Sequence, residues 1–343
     1  MKKKIESDSV IDDLVSGLEK KFGAGSVFTT KSGAIEHVEV ISTGSYSLDT
    51  AIGVGGLPKG RVIEIFGPES GGKTTIALSV VAQAQKAGGL CAYIDVENAL
   101  DLGYAAQLGV NVDKLLVSQP NSAEDALNIT KELIESGKIS LLVVDSVAAL
   151  VPKTEDEGNI GDQTMGLMAR MMSQSMRKLV PVISKTNTVV VFINQIRMKI
   201  GGMSWGNPET TPGGKALGFA SSVRLDIRRI ATIKDGETAV GIQIKAKVAK
   251  NKVAPPFRVA DIYVIFGEGI DNALGIFTEA VAKKVIDQKG KTYYFGEEKL
   301  GVGKKEAVAQ LKLKPELIKS IIGNIEKLKN IGIPVEEEQI NEE

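Results

Sequence analysis

The chain is short of the residues that thiol, imidazole and zinc chemistry need. It has one cysteine, one histidine and one tryptophan among 343 residues, and aromatic side chains make up 5% of it. A single cysteine closes no internal disulfide, which fits a reducing compartment. Cys91 lies in the apolar run Leu90-Cys91-Ala92-Tyr93-Ile94, far in sequence from His37, so it reads as a small buried hydrophobe and not as a nucleophile. His37 reads as structural or exposed. Two such ligands cannot complete a zinc site. An excess of charge is missing too: 42 Lys plus Arg offset 42 Asp plus Glu. No whole-protein field attracts nucleic acid, so any such site must come from local patterning. Long apolar runs are absent, with no window near the roughly 18 residues of a membrane span. Glu6, Asp8, Asp12 and Asp13 occupy the place where a signal peptide needs an apolar core. A cytoplasmic chain with no membrane partner is expected.

What is present is an ordinary globular composition, 43% hydrophobic with 37 glycines, long enough for about two domains. Residues 1–35 read as a helical arm: Ile5, Val10, Ile11, Leu14, Val15 and Leu18 recur at roughly helical spacing until Gly23-Ala24-Gly25 breaks it. Such a stripe must pack on its own core or on a neighbouring subunit. Residues 36–270 alternate apolar runs (62–66, 90–95, 141–145, 188–194) with helical stretches (74–87, 123–136, 166–179). Runs apolar on both faces and separated by helices indicate a mostly parallel, twisted sheet flanked by helices, an α/β fold. The runs 223–229, 242–249 and 262–266 follow on short connections and predict an antiparallel extension of that sheet. Residues 271–333 read as a small α+β C-terminal domain, with a helical stripe of Ile318, Ile321, Ile322, Ile325 and Leu328. Between 283 and 329 stand 12 lysines, no arginine and 6 acids. Residues 334–343 carry five glutamates and no base, an acidic disordered tail.

One motif carries definite chemistry. Gly67-Pro68-Glu69-Ser70-Gly71-Gly72-Lys73-Thr74 matches the P-loop pattern at every required position, follows an apolar strand and opens a helix at Thr75. Glycines let backbone N–H groups curl around phosphate oxygens, and the helix N-terminus favours the negative charge. Lys73 is then placed for the β- and γ-phosphates and the Thr74 hydroxyl for Mg²⁺. Asp145 ends the apolar strand 141–145 as a carboxylate that would hold Mg²⁺ through its water shell. Asp95 and Glu97 end another strand; Glu97 is the candidate base for activating water, only slightly favoured over Asp95 as the alternative. Asn194-Gln195 ends a further strand, as a γ-phosphate sensor or a plain polar pair.

Taken together, the segments 67–75, 93–101 (Tyr-Ile-Asp-Val-Glu-Asn-Ala-Leu-Asp), 143–150, 192–197 and 206–211 resemble the bacterial RecA recombinase family in order and spacing, and the similarity runs from Lys21 to about Gly303. The resemblance implies a RecA-like P-loop ATPase core. It implies that Glu97 is the catalytic glutamate, that Gln195 couples γ-phosphate to DNA binding, and that Asp101 and Tyr104 lie near adenine. It implies further that Lys250 and Lys252 reach the ATP of the adjacent subunit and that Phe219 signals across that interface. Three departures stand out. Gly218 replaces a lysine, Phe266 replaces a tyrosine near the base, and the segment around Trp205 is one residue longer than usual.

Two polar, glycine-bearing segments, 153–165 and 196–214, are long for connectors. The resemblance makes them the two DNA-binding loops. Strand binding needs cations for phosphates, flexible backbone amides and apolar groups that stack or wedge between bases. Arg197 and Lys199 supply charge; Met165, Ile200, Met203 and Trp205 supply apolar contacts; Gly213 and Gly214 supply backbone. Arg170 and Arg177, seven apart, share one helical face, either for DNA or as salt-bridged surface residues. The implied function is a DNA-dependent ATPase that forms a helical filament on single-stranded DNA and drives strand exchange with duplex DNA in recombinational repair. In the SOS response the filament would promote self-cleavage of the LexA repressor. The lysine-rich segment 283–314 reads either as a duplex-gathering surface, with which the acidic tail would compete, or as a solvated face. Removing residues 334–343 should therefore tighten duplex binding most at low salt, measured by fluorescence anisotropy; an unchanged affinity would reject the competition.

Overall fold

Apolar strands that bury both faces need a layer on each side, and this chain builds that arrangement around its P-loop strand. The computed structural model describes residues 2–24, 26–27, 38–158, 166–198 and 209–330. Among these, nine strands form one sheet in the order Gly269–Ile270, Val259–Ile265, Thr238–Asn251, Val223–Asp235, Val62–Gly67, Val189–Gln195, Ile139–Asp145, Leu90–Asp95, Leu115–Ser118. The run from Val223–Asp235 to Leu115–Ser118 is parallel, and the remaining strands extend it as antiparallel neighbours, as the sequence predicts.

Alternation within single strands explains the two layers. Leu141 and Val143 join the cluster under helix Lys73–Lys86, with Ile63, Ile65, Tyr93, Val191 and Ile193. Leu142 and Val144 join the opposite cluster with Phe192, Met172 and Ile183, under helices Ala123–Glu135 and Leu167–Thr186. Because neighbouring strands are parallel, their carboxyl ends lie along one edge. Gly67 pairs with Gln195 and Asp95 with Asp145 in register, so the candidate residues meet where the fold class places a ligand crevice. Cys91 is fully buried, and burial pushes its thiol up to about 12, in keeping with an inert core residue.

Outside the sheet, helix Lys2–Phe22 ends as expected at Gly23, whose φ of 100° suits glycine. The C-terminal segment has its own core, in which Ile276, Phe277, Leu311, Ile321 and Ile325 are buried around the antiparallel strands Asp287–Lys289, Thr292–Phe295 and Glu298–Val302. Phe277 meets Tyr293 edge to face at 4.9 Å. The isoleucine stripe is thus a packing face. The tail 334–343 lies outside the described residues.

Three elements outrun their expected bounds: strands Val223–Asp235 and Thr238–Asn251 extend the runs 223–229 and 242–249, and one helix is longer too. The helix expected to end at 179 runs to Thr186, through Pro181. Met172, Met176, Leu179 and Ile183 keep burying one face against the sheet, and that burial outweighs one missing hydrogen bond. The helix stops where Asn187 takes a left-handed φ of 57°. Pro181 itself is exposed. Pro181→Ala removes the ring's clash with the preceding turn, worth about 3 kcal/mol, and gives back about 1 kcal/mol of unfolded-chain entropy. A net stabilisation of about 2 kcal/mol in a urea midpoint is expected; an unchanged or lower midpoint would contradict it.

Candidate functional site

The phosphate cradle is built from backbone. Strand Val62–Gly67 turns through residues 68–72 into helix Lys73–Lys86. A β-carbon on Gly67 would stand 2.1 Å from the Ile227 carbonyl oxygen, and Gly72 holds φ 92° with Ile244 against it, so both positions require glycine. Lys73 is buried, and its Nζ donates to the carbonyls of Pro68 (2.6 Å) and Gly67 (3.2 Å). Burial holds its pKa below the usual lysine value, while the carboxylates of Asp145, Glu97 and Glu69 act in the opposite sense.

Asp145 lies beside this lysine. Its Oδ2 accepts from Thr74 Oγ1 (3.0 Å) and from Tyr93 OH (2.6 Å). Burial raises its pKa, and these two hydrogen bonds oppose the rise. Two hard oxygens at this spacing, without a denser ligand cluster among the described residues, match the sparse protein shell of Mg²⁺, which keeps several waters and takes phosphate oxygens. The residues fit that ion.

The two acids left open by spacing separate cleanly. Asp95 is buried and accepts from the backbone of Ala99 and Leu100 and from Gln119 Nε2, so it shapes the turn after its strand. Glu97 is exposed. Its Oε1 accepts from Ser146 Oγ and from Gln195 Nε2 (3.2 Å), so Glu97 and Gln195 meet across strand tips beside the P-loop. Asn194, the other member of the polar pair, is fully buried.

Tyr104 OH pairs with Thr75 Oγ1 (2.9 Å), and Tyr104 lines a cavity of about 240 Å³ with Ser70, Thr74, Ile242 and Phe266. Asp101 caps helix Leu102–Gln107 by accepting from Tyr104 N (3.0 Å), and so holds the ring there. A larger cavity, about 710 Å³, is lined by Phe219, Arg224, Lys247, Lys250, Phe66 and Gly218. Lys250 Nζ donates to the carbonyls of Gly218 (2.7 Å) and Phe219 (3.0 Å), and Lys252 Nζ to that of Phe219 (3.4 Å). Burial and the neighbouring Lys252 and Arg224 lower the Lys250 pKa. Phe219 is 72% exposed. Lys250 and Lys252 are therefore gathered around Phe219 and do not line the P-loop cavity of their own chain.

Of the residues proposed for DNA, Met165 and Lys199 lie outside the described residues, as do Ile200, Met203 and Trp205. Arg170 and Arg177 are both exposed on helix Leu167–Thr186. Arg197 is exposed, and Arg197–Met198 pairs with Glu209–Thr210, so the second segment starts from a short two-stranded stem. Gly213 (φ 81°) packs on Val147 and Met172, and Gly214 (φ 73°) on Ala169, so both also have a steric reason to be glycine. The first segment opens with a single helical turn, Lys153–Asp156.

Sequence reasoning missed three supports. Tyr93 orients Asp145 from an apolar run. Arg228 grips both oxygens of Glu209 (3.1 and 2.6 Å) and also Asp226, tying the stem of the second segment to the sheet. Glu64, fully buried in the P-loop strand, accepts from Arg224 and Asn194. An acid inside the apolar run 62–66 was a legible signal, because a buried carboxylate requires partners.

The family model described as "RecA N-terminal domain" matches residues 9–271. The chain is 54% identical over 312 residues to "Protein RecA" of Thermus aquaticus, covering 91% of this chain and 92% of that one. It is 52% identical over 330 residues to "Protein RecA" of Geobacter sulfurreducens, covering 96% and 97%. The solved RadB recombinase structure is similar in fold, with TM-score 0.52 and 23% identity over 67% of this chain and 98% of that one. No helix among the described residues is long and apolar enough to cross a membrane.

The Asp145 environment yields a signed prediction. A carboxyl whose folded pKa is raised destabilises the fold above that pKa, and this cost fades as pH falls through it towards the ordinary unfolded value. Asp145→Asn keeps an oxygen for Tyr93 and Thr74 and removes the charge. The nucleotide-free variant should melt higher than the unaltered chain at pH 7, with the gap closing as the pH is lowered through the carboxylate range. A lower melting point at pH 7 would contradict this.

Proposed function

The chain belongs to the RecA family of ATP-binding recombination and repair proteins, and we propose that it is a DNA-dependent ATPase that polymerises as a helical filament on single-stranded DNA and exchanges strands with a duplex. The observation that carries this reading is the contact of Gln195 with Glu97 at the phosphate edge, one residue before the second loop begins. An amide in that place has two partners to choose from, the Glu97 carboxylate and a γ-phosphate oxygen. Its choice moves the start of the loop.

In this mechanism the backbone of residues 67–74 and the Lys73 ammonium hold the triphosphate of ATP. Mg²⁺ would be held by Thr74 and, through water, by Asp145, and would neutralise charge on the β- and γ-oxygens. Glu97 accepts the proton of the attacking water, and Tyr104 and Asp101 define the base side. Lys250 and Lys252, set around the exposed Phe219, approach the phosphates of the adjacent copy and place charge where the transition state develops it. ATP is then a ligand of two copies, so its presence biases assembly and DNA grip together. An interface between unlike faces that does not close gives a filament. Arg170, Arg177, Arg197, Lys199, Met165, Gly213 and Gly214 contact the strand, and the loaded filament promotes LexA self-cleavage in the SOS response. The cytoplasm is its place of action.

ATP turnover with and without single-stranded DNA, beside negative-stain images, separates this from its rivals. DNA stimulation with filaments is expected; rings would indicate a helicase, and DNA-indifferent turnover without polymers a kinase or switch. Lys73→Ala should abolish turnover. Glu97→Gln should bind ATP and form filaments while hydrolysing about 10²–10⁴-fold more slowly. Normal hydrolysis in that variant would remove Glu97 from its role.

A further inference from the structure

The fully buried Glu64 has a place in no step above, yet it bridges two parts of the molecule that the proposed function needs to move together. Its Oε2 accepts from Arg224 Nε at 2.6 Å, and Arg224 is its register partner on the adjacent parallel strand. Its Oε1 accepts from Asn194 Nδ2 at 3.1 Å. Asn194, also fully buried, donates from the same nitrogen to the Pro212 carbonyl (3.1 Å) and accepts at Oδ1 from the backbone N–H of Gln195 (3.0 Å). One carboxylate thus fixes the amide that holds both the start of the second loop, at Gln195, and its return, at Pro212. Arg224, at the other end, is a quarter exposed, stacks over the Phe66 ring at 4.6 Å and lines the 710 Å³ cavity beside Lys250 and Phe219.

We propose that Glu64 is a positioning residue that links an oxyanion taken by Arg224 in this cavity to the two stems of the second loop. The proposal rests on the reading that the cavity faces a phosphate group of a neighbouring copy. A buried carboxylate with both oxygens engaged cannot lose a partner cheaply. When Arg224 turns to a phosphate oxygen, Glu64 leans on Asn194 alone, and the Asn194 bonds to Gln195 and Pro212 readjust. By reciprocity, a shift of the loop stems changes how freely Arg224 leaves Glu64. Gly218 suits this role. A β-carbon there would lie 3.5 Å from the Arg224 Cζ, in ordinary contact, whereas glycine leaves that side of the guanidinium uncovered.

The chemistry of a carboxamide separates this link from a merely structural ion pair. In Glu64→Gln the single oxygen goes to Arg224, and the introduced NH₂ faces the Asn194 NH₂. Asn194 must then turn its oxygen away from Gln195. Adding Asn194→Asp restores an acceptor for both the introduced NH₂ and the Gln195 N–H and keeps the total charge; it removes the donor to the Pro212 carbonyl, so it repairs the Gln195 stem alone. Glu64→Gln should speed amide hydrogen exchange at Gln195 by about tenfold or more in the DNA-free protein, and the double variant should bring it back to within about twofold. The DNA-stimulated kcat should fall about tenfold in the single variant while KM for ATP moves less than about twofold; the double variant, which repairs the Gln195 stem alone, is read by exchange and not by kcat. Should Glu64→Gln fail to fold, Arg224→Lys keeps the charge without the Nε donor and should loosen the same amide. Unchanged exchange at Gln195, or no recovery in the double variant, would overturn the link. Exchange needs neither DNA nor a second copy, so turnover indifferent to DNA in the unaltered chain would defeat the functional reading and leave exchange to decide the link.

Discussion

The cations that the proposed function brings to one triphosphate lie in two separate places on this chain. At the P-loop cavity Lys73 is the one cationic side chain among the described lining residues, and Glu69, Glu97 and Asp145 all act on it. The next cations, Lys250 and Lys252, are gathered around Phe219 in another cavity. This separation is the constraint on which the functional reading depends. A site whose charge is divided between two faces becomes whole only when two copies meet, and then nucleotide and assembly are thermodynamically one event.

The parallel sheet turns that event into a signal. Gly67 and Gln195 are neighbours in register, so the residue that follows the phosphate strand and the residue that precedes the second loop stand side by side. Glu97 reaches Gln195 from the next-but-one strand tip, and Ser146, at the tip of the strand between them, donates to the same Glu97 oxygen. Small displacements at the phosphate edge therefore fall on a residue whose backbone leads straight into that loop, while Arg228 and Asn194 anchor its return.

Much of this was legible in the sequence where the chemistry is local. The P-loop, the strand ending in Asp145 and the helical stripe from Ile318 to Ile325 depend on spacings within one element, and they appear in the structure where they were expected. Asp95 and Glu97 could not be separated, because both end one strand and differ only in what the following turn does with them; the turn uses Asp95 as its own acceptor. The helix expected over 166–179 continues through Pro181 because its burial face continues to Ile183. The pairs Arg228–Glu209 and Arg224–Glu64 join residues from different strands and segments, and no periodicity records them. The one local sign of Glu64, an acid in an apolar run, was not used in reading the sequence.

A mixing experiment tests the divided site most directly. Subunits carrying Lys73→Ala have intact cations for a neighbour but a defective cradle, and subunits carrying Lys250→Ala with Lys252→Ala have the reverse. Each alone should be inactive on single-stranded DNA. If ATP is completed by the adjacent copy, an equal mixture should regain a substantial fraction of turnover, since every junction of an intact cradle with intact lysines is whole. A mixture as inactive as its components would contradict the account.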